Sequence, residues 1–101
     1  MSVNKLKVML SFMREINDGH IPDASDYDLE NGEYWDIIEA CQDEQLIKGA
    51  IFATPDGFNH PLKADLSGVK LSVKGMEYLD EHSSAMRAYK GLKEIRSWLP
   101  F

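Results

Sequence analysis

Apolar positions along the chain recur with two different periods, and the changes from one to the other lay out its elements. Leu6, Met9, Leu10, Met13 and Ile16 fall at i, i+3, i+4, i+7 and i+10, the spacing that gathers side chains on one face of a helix. A helix capped by Ser2 is expected to run to about Asn17, where Asn17-Asp18-Gly19 stops it. His20-Ile21-Pro22 leaves room for only a scrap of extended chain. Ser25 and Asp28 then resemble a capping box for a short helix over 26–29. After Asn31-Gly32 the helical period returns. Tyr34, Ile37, Ile38 and Cys41 make the apolar stripe of a helix over 33–44, leaving Glu33, Asp36, Glu39, Ala40 and Asp43 outside.

Beyond Gln45 the pattern changes. Residues 46–54 are rich in Ile and Phe and predict a strand. Pro55-Asp56-Gly57 is a turn in which proline presets φ and glycine takes the strained position. A loop continues through Asn59-His60-Pro61 to Ser67-Gly68. Val69 and Leu71 alternate with Lys70, which predicts a second strand over 69–71. Ser72 is placed to cap the helix that follows over 73–82, with Val73, Met76 and Leu79 as its apolar stripe. Ser83-Ser84 then caps a last helix that Pro100 closes. Ala85, Ala88, Tyr89, Leu92, Ile95 and Leu99 share one face of it, and Arg87, Lys90 and Lys93 lie on the other.

Helix, short helix, helix, strand, long loop, strand, helix, helix is winged helix-turn-helix order. The expected fold is therefore α+β: a helical core, a two- or three-stranded antiparallel wing sheet and two C-terminal helices. With 101 residues and no repeat, low-complexity tract or linker, a single domain over 1–101 is expected.

The strand-to-helix stretch Leu71-Ser72-Val73-Lys74-Gly75-Met76-Glu77-Tyr78-Leu79 resembles the L-T-x-K-G-x-x-Y-L segment that follows the wing in many small winged-helix proteins. Taken with Ala88-Tyr89-Lys90-Gly91-Leu92-Lys93-Glu94-Ile95-Arg96-Ser97-Trp98, it is similar to the YjcQ family of small bacterial and prophage-associated winged-helix proteins. The likeness spans nearly the whole chain, including Gln45-Leu46-Ile47-Lys48-Gly49 at the start of the wing. It implies a fold and a phage or prophage setting, and it implies no activity, so DNA binding follows from it only by analogy of fold.

Charge sharpens the functional question. The net charge of −6 hides a segregation: residues 1–14 carry +3, residues 15–47 carry −11 with no Lys or Arg, and the remainder carries +2. A DNA-binding winged helix presents its second helix to the major groove, yet the outer face of 33–44 offers Glu33, Asp36, Glu39 and Asp43. Each carboxylate brought against phosphates costs about 1 kcal/mol in high dielectric, so this helix is not expected to read a groove. The wing is less hostile. His60, Lys63, Lys70 and Lys74 are the candidate phosphate contacts, with Arg87, Lys90 and Lys93 as a second basic strip. Binding by this route would be weak and steeply salt-dependent; the plainer reading of these lysines is a solvated surface.

The alternative is a protein-interaction module. Glu33, Trp35, Asp36, Glu39 and Asp43 would form an acidic face for a basic protein partner, or for the basic side of segment 84–99 in a homodimer. Against it stands a solvated face that keeps the protein soluble, and tryptophans such as Trp35 and Trp98 more often close the rim of a core than anchor an interface.

Catalysis is not expected. Cys41 lies on a buried stripe, and His20, His60 and His82 fall in separate segments without ligand spacing. Asp26-Tyr27-Asp28-Leu29-Glu30 mimics the start of a calcium loop, but Asn31 stands where glycine belongs and Ile37 where the bidentate glutamate belongs. No glycine-rich phosphate loop is present, and neither a cofactor nor a metal is expected. One cysteine excludes an intrachain disulfide, which fits a reducing compartment. With no cleavable leader and no apolar run near the ~20 residues of a membrane helix, a cytoplasmic protein without membrane contact is expected.

Overall fold

Asn4 starts the first helix, α1 (Lys5–Asn17), by accepting hydrogen bonds from the backbone N–H groups of Leu6 (3.0 Å) and Lys7 (3.3 Å). A computed structural model describes residues 4–59 and 61–99, so the expected Ser2 cap lies outside the described residues, as do His60 and Pro100. The buried face of α1 is broader than its apolar stripe: Val8, Leu10, Ser11, Phe12, Met13 and Ile16 are buried, whereas Leu6 is exposed. Three partners account for this, since the second helix, the last wing strand and the helix after the wing all pack on α1.

The short helix predicted over 26–29 is a single 3-10 turn two residues earlier, Ala24–Tyr27. Its capping pair is Asp23 and Asp26, the Asp26 carboxylate accepting from the Asp23 backbone N–H (2.8 Å). Asp28, expected to close a capping box, instead turns the chain at φ 58°. The second helix, α2 (Asn31–Asp43), buries Tyr34, Ile37, Ile38 and Cys41 as their spacing predicts. The Tyr34 ring meets Phe12 edge-on at 6.1 Å, and its hydroxyl donates to the Pro22 carbonyl.

Four short strands form the wing: β1 (Ile47–Lys48), β2 (Ile51–Ala53), β3 (Lys63–Asp65) and β4 (Lys70–Leu71). β1 pairs with β4 and β2 with β3, both antiparallel, making one hairpin that bends between its base and its tip. The strand expected over 46–54 is thus broken. Gly49 sits at φ 87°, where a Cβ would stand 2.2 Å from the Gly68 carbonyl oxygen, and strand geometry cannot pass through that residue. Gln42 of α2 bridges the break, donating from Nε2 to the Ala50 carbonyl and accepting from the Ala50 N–H, both at 2.9 Å. The missed strand β3 is Lys-Ala-Asp, a poor strand sequence that becomes one because β2 lies opposite.

Ser72 closes the wing onto the third helix, α3 (Val73–Glu81). Its Oγ accepts from the Gly75 N–H (2.9 Å) and donates to the Gln45 carbonyl (2.6 Å), while its own N–H donates to the Leu46 carbonyl (3.1 Å). Gly75 permits this closeness: a Cβ there would lie 2.1 Å from the Leu46 carbonyl oxygen. Because α3 rests on that glycine, its predicted stripe is turned outward. Val73 is 71% exposed and Met76 is also exposed, leaving Leu79 half-buried.

The last helix predicted over 84–99 is not continuous. Two short helices, α4 (Ser83–Met86) and α5 (Ile95–Trp98), are separated by a 3-10 turn over Leu92–Glu94. The α-helix has already ended at Met86, and Gly91, at φ 100°, turns the chain into the following 3-10 turn. Ile95, Trp98 and Leu99 then fold into this chain's own core. Trp98 donates from Nε1 to the Ala85 carbonyl (3.3 Å), and its own carbonyl accepts from Lys7 Nζ (2.7 Å). The arrangement is α+β and winged-helix-like, with the first helix of the helix-turn-helix reduced to one 3-10 turn.

Candidate interaction surface

The wing base places two lysines face to face. In the β1–β4 ladder the buried pair Ile47–Leu71 faces the core, so the next pair, Lys48–Lys70, points to solvent. Directly opposed like charges on a ladder repel, and among the described residues no carboxylate pairs with either. Lys74 follows in the first turn of α3, also exposed. Lys48 was absent from the sequence-derived set; only the register, which a broken strand hides, brings it opposite Lys70.

Lys63 belongs elsewhere. It pairs with Ala53 in the β2–β3 ladder, while Asp65, two residues along the same face, pairs with Ile51. The Asp65 carboxylate accepts from the Ser67 N–H (3.0 Å) and hydroxyl (2.8 Å), which holds its pKa below the usual carboxylate value. The tip is more apolar than basic: Ile51 is 66% exposed, Phe58 49% and Leu62 43%, and Lys63 is the one Lys or Arg between residues 49 and 69. Alternation of Ile51, Phe52 and Ala53 was the signal for this face, with Phe52 turned toward the core and its neighbours outward.

The second basic strip does not form as one helix face. Arg87 follows α4 and lines a cleft of about 630 Å³ between α1, α3 and α4, which also holds Arg14, Asp18 and Asp80. Lys90 borders a smaller depression beside Glu15 and Tyr89, and Lys93 sits in the 3-10 turn. The three therefore stand on separate segments, and 84–99 offers no single continuous helix face.

On α2 the acidic face is as the spacing predicts. Glu33, Asp36 and Asp43 are exposed and Glu39 is half-buried. Among the described residues none of them meets a cation; Arg14 pairs with Asp18, and His20 Nδ1 lies 3.0 Å from the Glu15 carboxylate. Trp35 is only half exposed at the core rim, its ring 5.1 Å from that of Tyr34, and Trp98 is buried. Cys41 is buried and its thiol is pushed up to about 12 by desolvation, which keeps it protonated and unreactive. His82 stacks on Tyr78 at 4.3 Å with its Nδ1 at the Tyr78 carbonyl.

Sequence reasoning also missed a polar chain through the core. The Tyr27 hydroxyl donates to Ser11 Oγ (2.9 Å), Ser11 to the Tyr89 hydroxyl (2.9 Å), and Tyr89 to the Glu15 carboxylate, whose other oxygen meets His20 Nδ1 at 3.0 Å. Burial raises both phenols well above the ordinary tyrosine range. The chain ties α1 to the 3-10 turn and to the C-terminal segment, and every member is paired. It is a structural network.

The model of the family described as YjcQ protein matches residues 6–98. An uncharacterized protein YjcQ from Bacillus subtilis (strain 168) is 30% identical over 98 residues, which cover 96% of this chain and 99% of that relative. No solved structure matches. The chain belongs to the YjcQ family, as its strand-to-helix motif and C-terminal segment suggested.

Proposed function

We propose that this member of the YjcQ family is a non-enzymatic, cytoplasmic protein-interaction module that docks a partner through its wing tip, with the acidic face of α2 selecting a basic partner. One observation carries the reading: the wing tip presents Ile51, Phe58 and Leu62 to solvent with Lys63 as the one Lys or Arg between residues 49 and 69. A wing that grips nucleic acid needs several cations there, whereas exposed apolar side chains suit a protein interface. The carboxylates of α2 add selectivity by repelling acidic partners and steering basic ones. Quantitative cross-linking in the native host tests it. Phe58→Ser is expected to remove the main cross-linked partners, and Asp36→Lys with Glu39→Lys to weaken them at least tenfold. Unchanged partners in both variants would refute the reading.

A second reading, the DNA-binding regulator, is favoured by the opposed pair Lys48–Lys70 beside Lys74. A phosphate lying between the two ammonium groups would relieve their repulsion. Anisotropy of a labelled random duplex, titrated at low and then moderate salt, separates the readings. Salt-sensitive binding lost in Lys48→Glu supports DNA contact at the wing base, and no binding at low salt removes it.

A further inference from the structure

The outer face of the wing tip is complementary to a reversed copy of itself. Since Ile51 pairs with Asp65 and Ala53 with Lys63, these four side chains stand on one face in two ranks, Ile51 beside Asp65 and Ala53 beside Lys63. They surround a shallow hollow of about 260 Å³. Ile51 is 66% exposed there, and Ala53 is exposed as well. Lys63 meets no carboxylate among the described residues, and the Ser67 hydrogen bonds both fall on Asp65 Oδ1, leaving Oδ2 open.

We infer that this face binds a second copy of the chain, sheet against sheet, about a two-fold axis running across the strands. That axis lays β2 over the partner's β2 and β3 over the partner's β3 with strand directions reversed. Each Ile51 then covers the partner's Ala53, a large side chain filling the space above a small one, and each Lys63 lies over the partner's Asp65. Such an interface is isologous, every contact occurring twice. Charge complementarity selects this occupant. The two charges of the face cancel, so a strongly basic protein or a phosphate backbone gains nothing from it, whereas a reversed copy satisfies both. The inference rests on the reading of the wing tip as a protein-docking surface and assigns its β2–β3 face to a second copy, leaving the basic partner to Phe58, Leu62 and the acidic face of α2. A patch centred on four side chains falls well short of the ~1,000 Å² typical of stable complexes, so the dimer is weak and concentration-dependent.

Sedimentation velocity of the intact protein over a wide concentration range tests it, with circular dichroism confirming that each variant is folded. The wild type is expected to sediment faster as concentration rises. Ile51→Lys should stay monomeric throughout. Lys63→Asp and Asp65→Lys should each weaken the dimer at least tenfold, because each sets like charges against one another across the axis. An equimolar mixture of those two variants should associate again, since every facing pair is then opposite in sign, and the double variant Lys63→Asp/Asp65→Lys should dimerise alone. A wild type that is monomeric at every concentration, a dimer indifferent to Ile51→Lys, or a mixture that does not associate would each overturn the inference. Failure of the broader docking reading is separate: it shows as cross-linked partners unchanged in Phe58→Ser, whatever the sedimentation result.

Discussion

The base and the tip of the wing are built from the same kind of antiparallel pair, yet they are held in opposite ways. At the base, β1 and β4 are pinned from both ends. Ser72 bonds back to Gln45 and Leu46, Gly75 lets α3 sit on the Leu46 carbonyl, and Gln42 clamps Ala50 just beyond. At the tip, β2 and β3 turn only Phe52 and Ala64 toward the core and leave the other face open. Tight backbone packing marks a region whose residues are constrained by folding. Large apolar side chains left in water mark one whose residues are free to serve a partner. The expected dimer and the expected fold therefore depend on different residues, and mutations can separate them.

Gly75→Ala should have the largest effect. The new methyl collides with a backbone carbonyl that cannot rotate away, and overpacking of this kind costs about 3 kcal/mol, read as a lower urea midpoint. If stability were unchanged, the base would not be the constrained half. Gln42→Ala comes next: it strands the N–H and carbonyl of Ala50 at the bend, for a loss of about 2 kcal/mol. It should also speed amide exchange in β2 and β3 more than in α1, because the clamp ties the bend beside the tip to α2. Lys48→Glu acts in the other direction. Replacing one member of the opposed pair with a carboxylate should stabilise the fold by about 0.5 kcal/mol while removing any phosphate contact at the base.

The smallest effect is acidic and confined to the tip. Asp65 has a depressed pKa in the folded protein, so its contribution is present above the ordinary carboxylate value and is lost as pH falls through the lowered one. Below that point Asp65 is neutral, the Ser67 turn loosens and the facing charge of the proposed dimer disappears. Amide chemical shifts of Ser67 and the sedimentation coefficient, followed together down a pH series in Asp65→Asn and wild type, check this. The variant should show neither transition.

What could be read in advance follows the range of the forces involved. Helix α2 was legible to within two residues because Tyr34, Ile37, Ile38 and Cys41 repeat within one element and need only one partner surface. The Ser72 cap was legible because it acts within three residues of itself. The stripe on α3 misled because Val73, Met76 and Leu79 repeat as a buried face would, while the helix is seated by Gly75, a residue that periodicity does not count. The last helix misled for a related reason: its apolar spacing carries through 87–91, a stretch that is not helical and that ends at Gly91 with φ 100°.

The interaction surface divides along the same line. The carboxylates of α2 and the single Lys or Arg between residues 49 and 69 are properties of the sequence by itself, since charge needs no partner to exist. So are the family motif and the α+β order of elements. Tertiary structure alone decided that Lys48 opposes Lys70, that Lys-Ala-Asp is a strand, and that Ile51, Ala53, Lys63 and Asp65 share one outward face. Those facts depend on strand register, which joins residues 10 to 24 positions apart. Register is set by where the chain bends and by which backbone groups clamp it, here Gly49 and Gln42, and neither leaves a periodic trace in the residues it aligns.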